Sequence, residues 1–140
     1  MPRLSRLVPM LRARDLKRTV RFWRDGLGFK VEATAPAPPH RPTWCQLGRD
    51  GVQVMFFCDD PQEEEPPGIT GQVYLYVDDV LALYDELKRR VHVLWGPEVL
   101  QYGFLEFAVQ DPDGYTVSFA QPPARGAPGT WFSSAGSEGQ

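Results

Sequence analysis

Long apolar runs are missing from this chain. None approaches the roughly 20 residues that cross a bilayer, and the Arg-bearing N-terminus has no hydrophobic signal core. The expectation is a soluble, cytoplasmic protein with no membrane contact. Cysteine is scarce as well. Cys45 and Cys58 lie in separate strand-like segments without zinc-type pairing, which reads as two small buried thiols. The two histidines are His40, in the Pro-rich "APAPPHRP", and His92, in "RRVHVLWG". With no paired ligand nearby, His40 reads as exposed loop and His92 as an ordinary strand residue.

A strong excess of one charge is also absent, since the net charge is -3 over 140 residues. The balance hides an asymmetry. Residues 1–49 carry 11 Lys/Arg against 3 Asp/Glu, and residues 50–140 carry 4 against 15. No nucleic-acid signature accompanies the basic half, and most of its charges face away from an apolar helix stripe, so they read as solvated surface. Oppositely charged halves attract, within one chain or between two.

What the chain does have is a repeat. Leu16, Val20, Trp23 and Leu27 fall at helical spacing, with Asp15 placed to cap the first turn and Gly28 to end the helix. Val80, Leu83, Tyr84 and Leu87 do the same behind Asp79. Each helix follows a short strand, "LVPMLRA" or "GQVYLYV". Each is followed by three more: "FKVEA" and "TWCQLGRDGVQVMFF" in the first half, "VHVLWG" and "FLEFAVQDPDGYTVSFA" in the second. Asp50-Gly51 and Asp113-Gly114 sit between alternating strands, a hairpin signal. The chain therefore reads as α+β, strand–helix–strand–strand–strand written twice. One domain is expected over residues 1–121, with module one at about 5–58, an acidic linker at 59–68 and module two at about 69–121. The tail, 122–140, is rich in Pro, Gly and Ser and is expected to be mobile.

The strands have two unlike faces. Val52, Val54, Phe56, Val73, Leu75, Val77, Leu105, Phe107, Val109, Val117 and Phe119 form an apolar face that must cover the helices. The other face carries Met10, Arg12, Trp44, Gln46, Gln53, Met55 and Phe57, then Gln72, Tyr74, Tyr76, Phe104, Glu106, Thr116 and Ser118. Aromatics mixed with amides, hydroxyls and one carboxylate fit a concave wall around a small molecule. Each ring taken singly reads as packing. Glu106 reads either as a cross-strand partner of Arg12 or another cation, or as a buried anion that recognises a cationic ligand.

In this order, "VPMLRARDLKRTVRFWRDGLGFKV", "VYLYVDDV" and "YGFLEFAVQDPDGYTVSFAQ" resemble the vicinal oxygen chelate superfamily, which contains glyoxalase I, extradiol dioxygenases and bleomycin-resistance proteins. The resemblance spans about residues 7–121. It implies two βαβββ modules whose mixed sheets curl around a cleft with helices outside, commonly in a homodimer. Metal-dependent relatives bind their ion through His and Glu at four strand positions, which here are Val8, Met55, Gln72 and Ser118. Valine cannot coordinate, a thioether suits soft ions, and Gln and Ser offer neutral oxygens only. No metal, no cofactor and no catalytic residue is therefore expected, and Ser118 also lacks a His base.

The reading is a metal-free binding protein of the bleomycin-resistance type that sequesters an amphiphilic or cationic ligand. Trp44, Phe57, Tyr74, Tyr76, Trp95, Tyr102, Phe104 and Glu106 are the expected ligand-binding residues. The rings would stack on planar groups, Glu106 would fix orientation, and Trp95 and Tyr102 would flank a rim loop, "WGPEVLQYG". The alternative is a glyoxalase-like lyase or isomerase, or a dioxygenase, whose metal ligands have migrated to Glu106, His92 and Gln72. A third reading is an interaction module whose polar face is filled by a partner subunit or the tail.

Overall fold

Two aspartates start the two helices. The Asp15 carboxylate accepts the Arg18 amide at 3.2 Å, opening α1 (Leu16–Arg21). That of Asp79 accepts the Ala82 amide at 3.1 Å, opening α2 (Val80–Leu87). Such caps satisfy donors that the first turn leaves unpaired. The first helix departs from the expected regular run to Leu27. It widens over Phe22–Gly26, where the Leu27 amide donates to the Phe22 carbonyl five residues back. The computed structural model describes residues 2–58, 67–68, 71–100 and 103–123. The expectations for the linker 59–66 and the tail from 124 lie outside the described residues.

The strands are β1 (Met10–Arg12), β2 (Lys30–Ala35), β3 (Trp44–Arg49), β4 (Val52–Phe57), β5 (Val73–Tyr76), β6 (Val93–Val99), β7 (Leu105–Gln110) and β8 (Thr116–Gln121). They form two four-stranded mixed sheets, ordered β1-β4-β3-β2 and β5-β8-β7-β6. In each, the first strand runs parallel to the last and the other pairings are antiparallel. The architecture is α+β and the topology is the same twice, so the repeat in the sequence is a repeat in space.

Both Asp-Gly pairs close hairpins, by different geometry. Asp50 and Gly51 have φ of 53° and 82°, a two-residue turn matched to strand twist. Around Gly114 the loop is longer: the Gly114 amide donates to the Asp111 carbonyl at 2.9 Å and the Asp111 amide to the Tyr115 carbonyl at 2.9 Å.

The apolar sheet faces and both helices merge into one core. Trp23 packs on Phe29 and Phe56, with centroids at 5.0 and 5.4 Å, and Phe107 lies between Tyr84 and Phe119. Burying side chains of this kind contributes about 1.5–3 kcal/mol each and holds the strand registers. Cys45 and Cys58 are buried and form no disulfide; the Cys58 thiol donates to the Arg14 carbonyl at 3.3 Å, and burial pushes Cys45 up to about 11.

The two modules also join through charge. The Asp113 carboxylate accepts from Arg14 Nε at 3.1 Å, Arg18 Nη2 at 3.3 Å and Thr19 Oγ1 at 3.2 Å. In the mirrored place, Arg49 donates through both Nη atoms to Glu86 at 3.0 Å. The opposite charges of the two halves thus meet within one chain. Among the described residues, no helix is long and apolar enough to cross a membrane.

Candidate functional site

Strand register decides which side chains share the polar face of the second sheet, because directly opposed residues point the same way. One row across it reads Trp95, Ala108, Ser118, Tyr74; the next reads Glu98, Glu106, Ala120, Tyr76. Large groups stand at the ends. Ala108, Ser118 and Ala120, in the middle, are fully buried.

Tyr74 explains that pattern. From edge strand β5 its hydroxyl donates to Oε2 of Glu106 on β7, so the ring spans β8, where only small residues leave room. Ser118 is small for this reason, and its hydroxyl donates to Gln72 Oε1 at 2.7 Å. Burial, then the Glu106 carboxylate, push the Tyr74 phenol well above its ordinary value.

Glu106 is only 6% exposed. Its partner is a neutral phenol, and among the described residues no cation pairs with it. The cross-strand reading with Arg12 is overturned: β1 and β7 lie in different sheets, and the partner of Glu106 is the Tyr74 hydroxyl. Beside Glu106 the rings form a corner. Tyr74 and Tyr76 stand at 90° with centroids 5.7 Å apart, and Phe104 is tilted 42° from Tyr76 at 6.1 Å. Tyr74 and Tyr76 remain 41% and 66% exposed. The parallel slot needed to sandwich a planar group is not what these rings form.

Two carboxylates on the polar faces escaped the sequence reading. Glu98 lies directly opposite Glu106 and is exposed. It sits within "WGPEVLQYG", expected to be a rim loop, but residues 95–99 belong to β6, whose register shifts twice, between Val93 and Trp95 and between Trp95 and Glu98. Each shift breaks simple alternation. The available signal was Gly96-Pro97 inside a strand pattern, a mark of a bulge. Glu32 escaped for the same reason, at the shift between Val31 and Ala33. It lies over Gly48, where a Cβ would collide with its carboxylate, and its Oε1 accepts Gln46 Nε2 at 2.9 Å and Gln53 Nε2 at 2.7 Å. Those two amides hold the Glu32 carboxyl below its ordinary value.

The structure thus brings Tyr74, Tyr76, Phe104 and Glu106 together, with Trp95 across the same face. Trp44 and Phe57 oppose each other on the first sheet, and Tyr102 lies outside the described residues. A cavity of about 810 Å³ opens between β1 and β5, with Arg6, Met10, Gln53 and Gln72 in its wall; of the expected binding residues, Phe57 and Tyr74 reach it.

The donor set does not suit the divalent ion used by metal-dependent relatives. Val8 and Met55 offer no oxygen or nitrogen side-chain donor, and Gln72 and Ser118 are bonded to each other. The migrated set fares no better. His92 is exposed, one residue ahead of β6 rather than within a strand as expected, and His40 is exposed in its loop. Among the described residues, no three His, Cys, Asp or Glu side chains group to hold a metal.

The family model for the Glyoxalase/Bleomycin resistance protein/Dioxygenase superfamily matches residues 3–119. A lactoylglutathione lyase of Haemophilus influenzae is 28% identical over 120 residues, covering 80% of this chain and 88% of the relative. The crystal structure of TnmS3, an antibiotic-binding protein from Streptomyces sp. CB03234, superposes with a TM-score of 0.67 at 26% identity, covering 88% of this chain and all of that one. A bleomycin resistance determinant encoded on transposon Tn5 superposes with a TM-score of 0.66 at 25% identity, covering 85% and 98%.

Proposed function

We propose that this chain, which belongs to the Glyoxalase/Bleomycin resistance protein/Dioxygenase superfamily, binds a small amphiphilic or cationic molecule without a metal and sequesters it unchanged. Glu106 carries this reading. A carboxylate so deeply buried, held by a phenol and by no cation among the described residues, is costly alone and gains most from a ligand that brings positive charge. The exposed rings of Tyr74 and Tyr76 supply apolar contact beside it. Likeness to an antibiotic-binding protein and a bleomycin resistance determinant supports the same reading. Met10, Gln72, Tyr74, Tyr76 and Glu98 stand exposed on the polar faces of the single chain, and a homodimer in which a second copy covers them and completes the cleft belongs to this proposal.

Calorimetric titration with bleomycin and a panel of aromatic cations tests it. Binding to the parent should weaken by about tenfold or more when Tyr76→Ala and Glu106→Gln are combined. Undiminished binding rejects the site, and sedimentation as a monomer rejects the dimer. The lactoylglutathione lyase relative favours a second reading, a metal-dependent lyase. Elemental analysis of protein purified without chelator separates the two: one divalent ion per chain, lost on Glu106→Ala, overturns the metal-free reading.

A further inference from the structure

Tyr74 and Tyr76 meet at a right angle, and Phe104 leans over the same corner. A flat aromatic ligand can lie against only one such ring, whereas a compact, rounded group can touch several. Ring faces attract cations within about 6 Å of their centroids. Glu106 lies beneath Tyr74, and Glu98 stands directly opposite Glu106 on the next strand, β6. Like charges opposed across strands repel, so the pair favours a cation between them. Glu106 Oε2 is already engaged by the Tyr74 hydroxyl. A primary ammonium needs several acceptors to replace its water; a methylated one, its charge spread over the methyl groups, needs none.

The geometry points to a methylated onium group, such as a trimethylammonium, as the ligand feature seated against Tyr74, Tyr76 and Phe104 with Glu106 and Glu98 as its counter-charges. The inference rests on the proposed binding role and narrows its ligand class.

Choline and 3,3-dimethylbutan-1-ol have the same shape and differ in charge. Titrated by NMR against the full chain, choline should bind roughly tenfold or more tightly than the alcohol. Tyr76→Leu, at an exposed position, should abolish that preference while leaving the fold intact by circular dichroism. Glu106→Gln should weaken choline severalfold and by more than it weakens the alcohol. Equal affinity for the two compounds overturns the inference, as does a preference that survives Tyr76→Leu. If bleomycin binds and choline does not, the onium assignment falls and the binding role stands; if neither binds, both fall.

Discussion

The indole N–H of Trp23 in the first module donates to the Asp111 carboxylate in the second at 3.3 Å, with both side chains buried. The same carboxylate accepts the backbone amides of Asp113 at 2.9 Å and Tyr115 at 3.0 Å. One side chain therefore shapes the β7–β8 turn and fastens it to the other module's helix. Asp111→Ala leaves three donors without this acceptor, at about 1–3 kcal/mol for each that stays buried and unpaired. Urea unfolding should show a loss of at least about 3 kcal/mol, with Asp111→Asn losing less.

Ser118 lies under the path of Tyr74. Ser118→Leu should force that ring off Glu106 and cost about 1–3 kcal/mol through overpacking. The released phenol should titrate nearer its ordinary value of 10.0. Ultraviolet pH titration of the variant against the parent reads this directly, and an unchanged tyrosine curve contradicts the packing described.

Gly96 has a φ of 83°, and a Cβ there would strike the Glu106 carbonyl oxygen and crowd Phe107. Gly96→Ala meets both a left-handed backbone and a backbone contact that cannot yield. The expected loss is about 1–3 kcal/mol or more, together with weaker ligand binding, because the shift passes to Glu106. Thermal unfolding alongside titration measures both.

The Arg49–Glu86 pair sets a pH dependence. Hydrogen bonding from Arg49 is the first cause holding the Glu86 carboxyl below its ordinary 4.5, and the charges of Arg49 and Arg90 add to it. The folded value lies below the unfolded one, so the stabilisation is complete above the unfolded value and disappears as pH falls through the folded one. Both side chains are partly solvated, which limits the contribution to about 0.2–1 kcal/mol. Glu86→Gln should lower the unfolding free energy by that amount at neutral pH, and the gap should close as pH falls through the ordinary 4.5 and on through the lower folded value. A gap that stays constant over that range would disprove the ion-pair account.

Much of the fold was legible along the chain. The 3.6-residue spacing of Leu16, Val20, Trp23 and Leu27, the caps at Asp15 and Asp79, and the Asp-Gly turns are local features, fixed by neighbours within a few residues. Alternation separated Phe56, Phe107 and Phe119 from Tyr74, Tyr76 and Glu106 because a strand turns successive side chains to opposite faces. Two such halves in the same order also revealed the duplication and the family.

Bulges and long-range contacts were not legible. Glu98 and Glu32 reach the polar faces through register shifts, and one extra residue reverses every later assignment on its strand. The Tyr74–Glu106 bond and the Trp23–Asp111 bond join residues 32 and 88 positions apart. The sequence by itself determined which residues repel water and where the chain turns, since those are properties of short segments. Only the folded sheets decided which polar groups meet, because that depends on strand order and on the one-residue shifts that tertiary packing selects.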